Sequence, residues 1–113
     1  MKVGIVGSRS LTVDNLENYI PSETTEIISG GAQGVDQSAR KFALQNHIKL
    51  TEFLPEYDKY GRSAPLKRNQ LIVKNSDLIL AFWDGSSRGT RYTITYALSL
   101  GVRVKLYCKK SFF

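Results

Sequence analysis

Three short segments carry residues suited to holding an anion. They are Gly7-Ser8-Arg9, Ser29-Gly30-Gly31-Ala32-Gln33-Gly34-Val35-Asp36 and Asp84-Gly85-Ser86-Ser87-Arg88-Gly89-Thr90. The second is the most informative. An apolar run ends just before it (Ile27, Ile28), and a helical pattern starts just after it (Val35, Ala39, Phe42, Ala43). Its three glycines therefore occupy a strand-to-helix turn. Glycine lets backbone N–H groups approach a ligand closely. The following helix turns the positive end of its dipole toward the same spot, and phosphate is the usual guest of such a turn. The spacing is neither Gly-x-Gly-x-x-Gly nor a Gly-Lys-Ser/Thr phosphate loop. Asp36 falls in the first helical turn, where capping and ligand contact are equally good readings. Gly7-Ser8-Arg9 closes the first strand and offers a hydroxyl and a guanidinium. Asp84 to Thr90 closes a later strand, with Ser87, Gly89 and Thr90 before another helix; Thr90 also suits a plain N-cap.

Other polar and aromatic residues carry less. Arg68-Asn69 lies within a helical pattern, where a structural Asn is the better single reading and the Arg could reach over the sheet edge. Trp83, Tyr57 and Tyr60 could stack on a base, with strand-end core the simpler role for Trp83. His47 ends a helix, and Cys108 has no internal disulfide partner. No Cys/His cluster suggests a metal, no cofactor is expected, and nothing resembles a nucleophile elbow.

These segments need a scaffold. Apolar stretches recur at Val3–Val6, Glu26–Ile28, Ile48–Leu54, Leu78–Trp83 and Val102–Tyr107. Helical patterns separate them at Asn15–Ile20, Val35–Gln45, Ala64–Lys74 and Thr90–Leu100. Ala64, Leu71 and Ile72 are expected to share one buried face, and Ile94, Ala97 and Leu98 another. Gly101 suits a C-cap. Continuous apolar strands predict a parallel sheet covered on both faces. The alternation predicts an α/β fold, a three-layer α/β/α sandwich of Rossmann-like type with strand order 3-2-1-4-5. Ligands bind such folds at the switch point beside strand 1. All three anion segments then fall on one sheet edge. The connection from Pro55 to Ser63 is placed there as a polar, aromatic loop over the ligand.

The chain has 113 residues, which suits a single domain over 1–113. Its net charge of +6 favours anionic partners. The positive residues are spread (Arg9, Arg40, Lys41, Arg62, Lys67, Arg68, Arg88, Arg91, Arg103, Lys105, Lys109, Lys110), so several separate anion contacts are favoured over a polybasic nucleic-acid tail. No apolar run is long enough for a membrane. An N-terminus reading straight into a strand and one unpaired cysteine suit the cytoplasm.

The motifs resemble the SLOG superfamily, which contains the "lonely guy" phosphoribohydrolases and DNA-processing protein A, and look nearest to its small stand-alone bacterial and phage members. The resemblance rests on Gly7-Ser8-Arg9, Ser29-Gly30-Gly31-Ala32-x-Gly34-Val35-Asp36, Ala64 with Arg68-Asn69, Ser76-Asp77, Phe82-Trp83-Asp84 and Ser87-x-Gly89-Thr90. It implies a nucleotide or nucleotide-derived ligand held by the glycine turns, often in a homodimer. The phosphoribohydrolases carry Pro-Gly-Gly-x-Gly-Thr-x-x-Glu. This chain has Ser86-Ser87 for the paired glycines and Thr93 for the glutamate, and a hydroxyl cannot replace a carboxylate in acid–base work. Binding is thus the expectation, for a sensor or an accessory of nucleotide metabolism. The alternatives are an N-glycosidase using Asp36 or Asp84 and a single-stranded nucleic-acid binder.

Overall fold

The computed structural model describes residues 1–108. Lys109 and Lys110, counted above among the dispersed positive charges, lie outside the described residues. Five strands form one parallel sheet: β1 (Lys2–Gly7), β2 (Glu26–Ser29), β3 (Lys49–Glu52), β4 (Leu78–Trp83) and β5 (Arg103–Cys108). Their order is β3-β2-β1-β4-β5. The α/β architecture and the strand order agree with the sequence reading. Register aligns Gly7 with Phe82 and Ile28 with Thr51.

The central strands are largely apolar because both their faces are covered. Val3, Ile5, Ile27, Leu80 and Phe82 pack beneath α1 (Val35–Gln45) and the segment around Leu11, Val13 and Leu16. Val6, Ile28, Ile79 and Ala81 pack beneath α3 (Ala64–Lys74) and α4 (Arg88–Ser99). Burying each large aliphatic chain contributes roughly 1.5–3 kcal/mol. On the first face, Tyr19 meets Phe82 and Tyr107 edge-on at 5.2 and 4.7 Å, while Phe82 and Tyr107 stack at 5.2 Å.

Four local expectations are corrected. Asn15–Ile20 is not a full helix; only Leu16–Asn18 forms one 3-10 turn. Leu16, Tyr19 and Ile20 are instead pulled onto the core by tertiary packing. β3 ends at Glu52, and Leu54 is exposed, because β3 is an edge strand. The connection after it is no plain loop: it contains the short helix α2 (Tyr57–Tyr60) and a 3-10 turn at Gly61–Ser63. Finally, Leu71 and Leu98 face outward, at 41% and 63% exposure. The buried positions of α3 are Ala64, Arg68, Ile72 and Val73. Ala64, Arg68 and Ile72 follow one another at i+4, so an arginine occupies the inward stripe.

Candidate functional site

The C-terminal ends of β1, β2 and β4 meet around a crevice of about 420 Å³. Its lining comes from four places: Val6 to Ser10 at the end of β1, Ala32 and Asp36 at the start of α1, Pro65, Leu66, Arg68, Asn69 and Ile72 on α3, and Asp84, Ser87, Gly89, Thr90 and Thr93 around the start of α4. Of the residues singled out by sequence, Gly7, Ser8, Arg9, Ala32, Asp36, Arg68, Asn69, Asp84, Ser87, Gly89 and Thr90 line it. Ser29, Gly30, Gly31 and Gly34 do not.

Those four are near the crevice but turned to other work. Ser29 is fully buried. Gly30 lies under the Arg68 guanidinium; a Cβ there would fall 2.5 Å from Nη1. Gly34, at φ +73°, packs against the carbonyls of Arg9 and Leu11. Gly31 faces Leu54 and Glu52. The glycine-rich turn is therefore a joint between β1, α1 and α3, and it lets chain segments approach one another.

Ser8 is the hub between the β1 and β4 ends. It is 1% exposed. Its N–H donates to the Phe82 carbonyl at 3.0 Å, and its Oγ accepts the Asp84 N–H at 3.0 Å. The same Oγ pairs with Ser87 Oγ at 2.8 Å. Asp84 closes the turn before α4. Its Oδ1 accepts the N–H groups of Ser86 and Ser87, both at 2.8 Å. Its Oδ2 accepts the hydroxyl of Ser10 at 3.1 Å. The two backbone N–H donors hold its carboxyl well below the usual carboxylate range. Asp84 is thus saturated with donors and is a turn anchor, ill suited to moving a proton. Trp83 is committed similarly, donating through Nε1 to the Ser87 carbonyl at 3.0 Å.

These contacts leave the start of α4 open. Ser87 holds the N-cap position in extended backbone, yet its side chain caps nothing in its own helix. No acidic residue stands in the first turn. The first-turn N–H groups thus lack a side-chain cap where Gly89 and Thr90 line the crevice. The start of α1 differs. There the Asp36 carboxylate reaches back and takes the Ala32 N–H at 3.1 Å, so the chain supplies its own anion.

Two nearly buried charges of opposite sign line the crevice and influence each other. Arg68 is 8% exposed and donates through Nη1 to the Gly30 carbonyl at 2.7 Å. Its Nε is buried without a partner. Burial lowers its pKa, opposed by the Asp36 charge. Asp36 is likewise 8% exposed, and burial raises its pKa, opposed by the Ala32 N–H and the Arg68 charge. The Ser29 hydroxyl is near enough to favour the carboxylate, yet it closes no good hydrogen bond.

Sequence reasoning missed Ser10, Pro65 and Leu66. The signal for the last two was the Pro at the head of α3, a helix starting beside the sheet's C-terminal edge. Thr93 is 1% exposed and lines the crevice, its Oγ1 turned back to the Gly89 carbonyl at 2.9 Å. Ser76 and Asp77 precede β4 at the opposite edge of the sheet. Asp77 holds the Lys2 N–H at 2.8 Å, which fixes the start of β1. Tyr57 is exposed, and Tyr60 carries Lys59 and Lys67 over its ring at 5.1 and 5.9 Å. Among the described residues no group of His, Cys, Asp or Glu could hold a metal ion. No helix there is long and apolar enough to cross a membrane.

The fold and the crevice together define a Rossmann-like parallel α/β domain with a crevice of mixed polar and apolar lining at its topological switch point. Residues 1–56 match the family model described as DNA recombination-mediator protein A. This is consistent with the SLOG relationship that the motifs suggest, and it spans the Gly7 and Ser29–Asp36 turns. No curated protein matches the chain.

Proposed function

We propose that the crevice binds a nucleotide or nucleotide-derived phosphorylated ligand, in a protein acting as a sensor or an accessory of nucleotide metabolism. The observation that carries this is the open start of α4 lining the same crevice as a nearly buried arginine whose Nε has no partner. Buried donors without partners are costly. A phosphoryl group supplies acceptors for both the helix N–H groups and the guanidinium. Arg9 and the one hydroxyl hydrogen that the Ser8–Ser87 pair leaves over complete the donor set. The test is thermal unfolding with a panel of nucleoside mono- and diphosphates. A ligand at a hundred times its Kd stabilises by about 2.7 kcal/mol, a shift of several degrees or more for a domain of this size. Unchanged melting at millimolar ligand would overturn the reading.

A second reading is single-stranded nucleic acid. It is favoured by the match of residues 1–56 to a family described by DNA recombination. It places backbone phosphates on the crevice arginines and bases on the exposed Tyr57. Its salt dependence separates it from binding of a single nucleotide, as argued below.

A further inference from the structure

Two carboxylates line the crevice, and they differ in what they have left to offer. Asp84 is filled: both of its oxygens accept donors from its own turn and from Ser10. Asp36 accepts one backbone N–H, from Ala32, through Oδ2 alone. Asp36 lines the crevice with Oδ1 left for a ligand, and Arg9 and the Ser8–Ser87 pair line it too, among apolar residues such as Val6, Pro65 and Ile72. The crevice is thus two-ended. The β1 and β4 side donates, and the β2 side accepts.

A ligand that satisfies both ends carries an anionic group and, at a distance from it, hydrogen-bond donors. A carboxylate in the first turn of the helix after the second strand lies on the C-terminal edge of the sheet, where Rossmann-like folds hold their ligands, and can accept a ribose hydroxyl. Its two oxygens suit a pair of adjacent hydroxyls. A sugar lacking one of them leaves the buried carboxylate short of a partner, which is how hydrogen-bonding sites reject such analogues. We propose that Asp36 reads the vicinal hydroxyls of a ribose 5-phosphate unit, so that the crevice selects ribo- over 2-deoxyribo-ligands. This rests on the phosphate-binding reading above, and it assigns Asp36 a part in specificity that the phosphate contacts cannot supply.

The experiment is calorimetric titration of the full chain with inorganic phosphate, ribose 5-phosphate and 2-deoxyribose 5-phosphate. The expected order of affinity is ribose 5-phosphate first, about tenfold or more over its deoxy analogue, as for one charge-assisted hydrogen bond. In Asp36→Asn the carboxamide oxygen can still take the Ala32 N–H, so the turn is kept. The preference is then expected to vanish while binding of inorganic phosphate persists. Equal binding of the two sugars to the unaltered chain overturns the inference and leaves the phosphate reading standing. A ribose preference that survives in a folded Asp36→Asn chain removes the role from Asp36. Failure of all three ligands to bind overturns the phosphate reading and this inference with it.

Discussion

Ser8 shows how much one small side chain can hold. Its hydroxyl is buried, accepts the Asp84 N–H and pairs with Ser87. Removing it in Ser8→Ala strands a backbone donor at the β1–β4 junction. The expected cost is about 1–2 kcal/mol in chemical denaturation. Ser87→Ala removes only the partner hydroxyl and is expected to cost less than about 1 kcal/mol, so an equal loss in both variants would sink this account of the hub. The two crevice aspartates then give opposite pH signatures. Asp84 has a lowered pKa in the fold, so its stabilisation is present above the ordinary value of 3.8 and is lost as pH falls below it. Asp36 has a raised pKa, so the folded chain binds its proton more tightly than the unfolded one. Its contribution is greatest below 3.8 and is lost as pH rises through the raised value. Asp36→Asn should therefore relieve a penalty near neutral pH, whereas Asp84→Asn should flatten the acid limb. Denaturation curves across pH 3 to 7 check both signs, and the same slope in both variants would contradict them.

At the scale of elements, α1 and α4 end in the same way with different residues. Val102 N–H returns to the Ala97 carbonyl around Gly101 at φ +73°, and Ile48 N–H returns to the Ala43 carbonyl around His47 at φ +54°. This is the left-handed closure that glycine favours. A side chain at Gly101 meets nothing within 4 Å, so Gly101→Ala is expected to lose about 1 kcal/mol from backbone strain alone. His47→Gly is expected to gain up to about 1 kcal/mol, less the added freedom of the unfolded chain. Thermal melts of the pair test this, and a stabilised Gly101→Ala would refute it. Gly101 as a C-cap was legible, because glycine after a helical pattern has few other uses. His47 was not, because its residue type carries no such signal. The parallel sheet and its order were legible in the apolar strands and the crossover rules. The crevice wall from α3 was legible only in part. Arg68 sits at i+4 from Ala64, but a charged side chain on a buried stripe contradicts the hydrophobic pattern. Its place is set by tertiary contact with Gly30, nearly forty residues away in sequence. The turn glycines were legible as a special site, yet Gly30 and Gly34 make room for the protein itself. Sequence cannot tell a backbone that approaches a ligand from one that approaches another strand.

At the scale of the whole molecule, the net charge of +6 raises the local concentration of any anion, and the crevice decides what stays. The structure sorts these charges by place. Arg9 and Arg68 line the crevice. Lys59 and Lys67 gather at Tyr60, where they sit over its ring. Arg40 is paired with Glu52, and Arg103 and Lys105 are exposed on the edge strand β5. A nucleotide held in the crevice engages the first group alone. A single strand of nucleic acid threading past it would also meet the lysines around Tyr60. For single strands the logarithm of the binding constant falls against the logarithm of salt with a slope of about −0.7 per phosphate contact. Binding confined to the two crevice arginines therefore predicts a slope of about −1.4. Engagement of Lys59 and Lys67 as well would bring it to about −2.8. Fluorescence titration of a short oligonucleotide between 50 and 200 mM salt, about the range over which such slopes are resolved, separates the two. The steep slope should relax on Lys59→Ala with Lys67→Ala if the tyrosine-centred cluster carries the strand. A shallow slope unaffected by that double substitution confines the interaction to the crevice and makes the single nucleotide the ligand.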